Sequence, residues 1–100
     1  MIKHIVMWKF KDSANGKTKK ENALEMKAKL ENLVGEIDVL RSLEVGINDL
    51  YTDASCDMVL TTTFDSEADM KIYASHPLHV DVSNFCKSIR TSRVTVDYYL

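Results

Sequence analysis

A chain of 100 residues with 45% hydrophobic side chains is long enough for one self-contained core and too short for two domains, so residues 1–100 read as a single domain. Its 13 Lys and Arg stand against 15 Asp and Glu, and this formal charge of -2 excludes the strongly basic balance typical of a nucleic-acid binder. Cys56 and Cys86 have neither the number of a disulfide framework nor the spacing of a metal knuckle, which fits a reducing, cytoplasmic setting.

Residues 2–10 alternate as a strand. Ile2, His4, Val6, Trp8 and Phe10 share one face, and Lys3, Ile5, Met7 and Lys9 share the other. Both faces are partly apolar, so the strand is predicted to lie centrally in its sheet with cover on each side. The apolar run from Ile5 to Trp8 is too short for a signal peptide or a membrane span. Residues 11–16 (Lys-Asp-Ser-Ala-Asn-Gly) form a turn-rich connection.

Thr18 and Glu21 have the spacing of a capping box. Behind them Ala23, Met26, Leu30, Leu33 or Val34, and Ile37 recur at three- and four-residue steps, which predicts an amphipathic helix over residues 17–36 ending near Gly35. Lys9, Lys11, Lys17, Lys19 and Lys20 are followed at once by Glu21, Glu25 and Glu31, the pattern of a solvated, salt-bridged surface.

Leu43, Val45 and Ile47 mark a second strand, and residues 49–56 a polar loop. Met58, Leu60, Thr62 and Phe64 share one face of a third strand, favoured by its β-branched centre. Ser66 is placed to cap a short helix that must stop before Pro77. Pro77 suits the first turn of a further helix, with Leu78, Val82, Phe85 and Ile89 on its buried side and His76 as its cap. Val94, Val96, Tyr98 and Leu100 alternate in a closing strand.

The resulting order is an α+β, ferredoxin-like βαββαβ arrangement: a four-stranded antiparallel sheet with helices on one face and an extra short helix before the last. Its chemistry concentrates in residues 73–80, where Tyr73, His76 and His79 flank the only proline. Imidazole titrates nearest neutral pH, and a phenol is a natural hydrogen-bonding partner for it.

The opening Ile2-Lys3-His4-Ile5-Val6-Met7-Trp8-Lys9-Phe10-Lys11 resembles the first strand of the stress-responsive A/B barrel (Dabb) family. Thr63-Phe64 through Tyr73-Ala74-Ser75-His76-Pro77-Leu78-His79-Val80, and the late Asp97-Tyr98, resemble it too, so the likeness runs essentially end to end. The resemblance implies a dimeric α+β barrel, with two four-stranded sheets packed face to face and the Ile5 and Met7 side meeting a second copy. It extends distantly to the olivetolic acid cyclase branch, which closes a linear polyketide by intramolecular aldol condensation. Carried over by position, His79 matches the base and Tyr73 its partner. His4, Val6, Trp8, Met26, Leu30, Leu60, Thr62 and Val82 match pocket-lining positions for a small apolar or carbonyl-containing molecule.

The match is incomplete. Met26, Lys27 and Leu30 stand where that branch carries aromatic residues on the long helix, Thr62 replaces an aliphatic side chain, Val82 an aromatic one, and Arg90 a large apolar ring. The plant substrate therefore does not transfer.

Two functional classes follow. One is a lyase, cyclase or isomerase with His79 as general base and Tyr73 orienting an enolisable carbonyl. The other is a non-catalytic dimeric ligand-binding or stress-related protein. No cofactor and no metal site is expected: His76, His79 and His4 lack an HExxH or facial-triad pattern. Haem- or metal-dependent monooxygenase chemistry, known among related dimeric barrels, is a weaker alternative.

Overall fold

The computed structural model describes residues 1–100. Strand β1 (Ile2–Phe10) is followed by a two-residue hairpin, β2 (Ser13–Ala14) and β3 (Lys17–Thr18), and by helix α1 (Lys19–Glu31). Strands β4 (Ser42–Ile47) and β5 (Met58–Phe64), helices α2 (Glu67–Ser75) and α3 (Pro77–Ile89), and strand β6 (Arg90–Tyr99) complete the chain. The main sheet has the order β4-β5-β1-β6, every pair antiparallel. This is the expected ferredoxin-like α+β architecture, with β1 central.

Local chemistry explains the joints. Asn15 (φ 55) and Gly16 (φ 75) both take left-handed backbone, which the two-residue turn between β2 and β3 requires. At the start of α1 the Thr18 hydroxyl accepts from the Glu21 N–H at 3.2 Å, and the Glu21 carboxylate accepts from the Thr18 N–H at 3.0 Å. The capping box therefore forms as predicted. The helix ends at Glu31 rather than near residue 36. Beyond it, Leu33, Val34 and Glu36 donate to Leu30, Glu31 and Leu33, three residues back, and Gly35 turns with φ +83. Leu33 and Ile37 are buried by these tightened turns, and Val34 faces solvent.

The period-two reading of β1 and β5 holds along both strands, except that Thr63 on the outer face is also buried and His4 on the inner face is half-buried. Val6, Trp8 and Phe10 are buried with Met58, Leu60, Thr62 and Phe64, against Ala23, Met26 and Leu30 of α1. On α3, Val82 and Ile89 are buried as expected, but Leu78 is 40% exposed and Cys86 takes the buried position. Strand β6 begins at Arg90, four residues before its apolar alternation, because it pairs along nearly the whole of β1 with a register shift at Lys9/Phe10. Asp57 fastens this same C-terminal end of β1: its carboxylate accepts from the Phe10 N–H at 2.7 Å and from the Tyr51 hydroxyl at 2.8 Å, with Lys19 Nζ at 3.6 Å.

Candidate functional site

A cavity of about 430 Å³ lies between the inner face of the sheet and helices α1 and α3. Strand β1 supplies His4, Val6 and Trp8, β5 supplies Leu60, and α1 supplies Met26 and Leu30. Helix α3 supplies His79, Val82, Ser83, Cys86 and Lys87, and β6 supplies Arg90 and Arg93. Eight of the ten residues assigned from sequence therefore meet in one cavity. Thr62 and Tyr73 lie outside its lining.

His79 is positioned by the junction between two helices. Pro77 opens α3, where its missing N–H is no loss, and the His76 Nδ1 accepts from the Leu78 N–H at 3.1 Å as the helix cap. One turn on, His79 reaches back so that its Nδ1 lies 3.0 Å from the Ala74 carbonyl at the end of α2. A carbonyl only accepts, so Nδ1 carries the proton, and the neutral ring has its free lone pair on Nε2. Nε2 makes no hydrogen bond to the protein. Burial lowers the pKa of His79, helped by the positive potential of His4, Arg93 and His76 and opposed by the Ala74 hydrogen bond. The result is a neutral imidazole with one oriented lone pair.

Tyr73 packs behind that ring. Its ring centroid is 4.4 Å from that of His79, tilted by 50°, and 5.0 Å from that of Phe64. The phenol is buried, its hydroxyl has no hydrogen-bond partner, and burial pushes its pKa up to about 12. The hydroxyl–imidazole hydrogen bond expected from the chemistry of the two side chains is not formed. Tyr73 supports His79 through its ring.

His4 is held from the other side. Its Nδ1 donates to the Asp97 carboxylate, which lies directly opposite on β6. Thr62, fully buried, donates to the His4 backbone carbonyl at 3.3 Å and so steadies the strand rather than the cavity wall. The Trp8 indole N–H is buried without a partner. Burial pushes the Cys86 thiol up to about 11, so it is not a thiolate nucleophile at neutral pH.

Ser83, Cys86, Lys87 and Arg93 are not assigned to the site from sequence, and Arg90 enters there only as the residue standing where the cyclase branch has a large apolar ring. From His79 the lining residues of α3 step at three, four, seven and eight, so helical periodicity alone would have found Ser83, Cys86 and Lys87. Arg93 comes from its pairing with Trp8, a register that no local pattern encodes.

Comparison with known proteins matches residues 2–100 to the model of the stress-responsive A/B barrel domain, Dabb. A stress-response A/B barrel domain-containing protein of Arabidopsis thaliana is 32% identical over 104 residues, spanning 97% of this chain and 84% of that protein. A dimeric, ferredoxin-like protein of unknown function from Bacteroides fragilis superposes with a TM-score of 0.87 at 33% identity, over 99% of this chain and 95% of its own. The hydroxynitrile lyase of Passiflora edulis shares the fold, with a TM-score of 0.81 at 18% identity over 99% and 92% of the two chains. No helix here is long and apolar enough to cross a membrane.

Proposed function

The chain belongs to the stress-responsive A/B barrel (Dabb) family, and from that premise we propose that it is a cytoplasmic homodimer whose cavity binds a small carbonyl compound and removes a proton beside the carbonyl. The observation that carries this reading is His79, whose Nδ1–H is anchored to Ala74 while Nε2 is unpaired in the wall of the cavity. In the proposed step the C–H bond breaks, the proton passes to Nε2, and the electron pair moves into the enolate oxygen. The imidazolium then returns its proton to the product, which places the reaction among lyases, cyclases and isomerases. Tyr73 is a positioning residue that fixes the imidazole plane and excludes water from its back.

Homodimerisation is supported by the outer face of the sheet. Register puts Gly46, Val59, Met7 and Val94 in one row across all four strands, flanked by Ile5 and Val96. Met7, Val94 and Val96 are 38%, 51% and 49% exposed in the single chain. Such a face suits a second copy of itself, and the Bacteroides fragilis relative is dimeric. Free Cys56 and Cys86 suit the cytoplasm.

A second reading, a ligand-binding protein without turnover, is favoured by the Tyr73 hydroxyl, which is buried and takes no part in the cavity lining. The deciding experiment follows hydrogen–deuterium exchange at the central carbon of a β-diketone by NMR. Acceleration by the wild type and its loss in His79→Gln supports catalysis. Saturable binding with unaccelerated exchange in both proteins supports the second reading.

A further inference from the structure

We infer that the cavity is selective for amphiphilic carboxylates, with the carboxylate at a cationic mouth formed by Lys87, Arg90 and Arg93. This rests on the reading of the cavity as a small-molecule pocket and adds to it the class of molecule taken. Three of the chain's 13 Lys and Arg line the cavity, and none of its 15 Asp and Glu does, although the chain as a whole carries a charge of -2. None of the three cations forms a salt bridge, so no carboxylate of the chain offsets their charge at the cavity.

The end of α3 accounts for part of this arrangement. Lys87 lies in its last turn and Arg90 is its C-cap, where the helix dipole favours positive charge. It does not account for Arg93, which comes from β6 and lies opposite Trp8 on the inner face of the sheet. Two guanidinium forks lining the cavity suit an anion, and a carboxylate meets them in bidentate geometry. The opposite wall, with Leu30 and Leu60, is apolar. A ligand with an anionic end and a hydrocarbon body satisfies both halves.

Trp8 is the only tryptophan of the chain, so its fluorescence reports occupancy of this cavity directly. The test is titration of the wild-type protein with decanoate and with 1-decanol, repeated on Arg90→Gln, Arg93→Gln and the double variant, with far-UV circular dichroism as the check on folding. The expected result is decanoate binding about tenfold or more tighter than decanol, as charge-assisted hydrogen bonds provide. Each single variant narrows the gap, the double variant closes most of it, and decanol affinity is unchanged throughout. Equal binding of the two probes to the wild type, or decanoate binding unaffected in the double variant, overturns the inference while leaving the pocket reading intact. If neither probe perturbs Trp8, the pocket reading itself fails and the inference falls with it.

Discussion

The rings of Tyr73 and His79 lie with centroids 4.4 Å apart and planes tilted by 50°, with no hydrogen bond between the phenol and the imidazole. This contact makes Tyr73 a packing partner whose hydroxyl is dispensable. Tyr73→Phe is expected to change stability by less than about 1 kcal/mol, or to raise it, because it removes a buried donor that has no acceptor. Tyr73→Ala removes the ring between Phe64 and His79 and is expected to cost about 3–5 kcal/mol. Urea denaturation measures both. Exchange activity preserved in the Phe variant confirms support through the ring, and activity abolished there with the fold intact would show that the phenol itself takes part.

The pH dependence follows from His79. Its folded pKa lies below the ordinary 6.5 because the ring is buried and faces positive charge. Between those two values the unfolded chain binds more protons than the folded one. Stability therefore rises with pH across that window, and it falls as pH drops through 6.5. The same shift keeps Nε2 unprotonated at neutral pH, so the acidic limb of any base-catalysed activity is expected below pH 6.5. NMR titration of the imidazole checks both statements, with His79→Gln expected to lose less stability than wild type on acidification to pH 5. A ring titrating at or above 6.5 contradicts them.

The sheet and its inner face were legible because β1 and β5 have both faces under strong selection by neighbours: Val6, Trp8, Leu60 and Phe64 point inward at every second residue, and a slip of one would expose all of them. Thr18 and Pro77 fixed two helix starts through backbone chemistry that needs no tertiary partner. The beginning of β6 was hidden for a physical reason. Residues 90–93 (Arg-Thr-Ser-Arg) have no apolar alternation because Arg90 and Arg93 face the cavity rather than the core, and the segment is a strand only through its pairing with β1. The pairing of His4 with Asp97, across 93 positions, is likewise a product of register. The end of α1 was overestimated because Leu33 and Ile37 continue the apolar spacing into turns that bury them without a helix.

Asp57 is predicted to be a principal support of the β1 terminus. Burial alone would raise its pKa, but the Phe10 N–H, the Tyr51 hydroxyl and Lys19 outweigh that effect and hold it below its ordinary 3.8. A carboxylate with a depressed pKa stabilises the fold above its unfolded value, and this stabilisation is lost as pH falls through the folded one. Asp57→Ala leaves the Phe10 N–H without its acceptor and is expected to cost about 3 kcal/mol at pH 7. Asp57→Asn retains one acceptor oxygen and should cost less. Thermal unfolding at pH 7 and pH 3 separates the cases: the gap between wild type and Asp57→Ala should shrink at the lower pH, and a pH-independent gap would show that charge is not involved.

The proposed dimer makes the outer face of the sheet the most sensitive surface for association. Met7 lies directly opposite Val94, and Ile5 opposite Val96, so these side chains form one patch on the face away from the helices. A stable interface typically buries roughly 800 Å² on each partner, and a lysine at its dry centre leaves an unpaired buried charge. Val96→Lys is therefore expected to yield a folded monomer at micromolar concentration with a lowered thermal midpoint, read by sedimentation velocity and circular dichroism. Because side chains alternate along β6, position 96 faces away from Arg93 and Asp97, so the cavity and the His4–Asp97 pair are retained in the monomer. Wild type that sediments as a monomer at this concentration contradicts the assignment, and so does a Val96→Lys variant that stays dimeric.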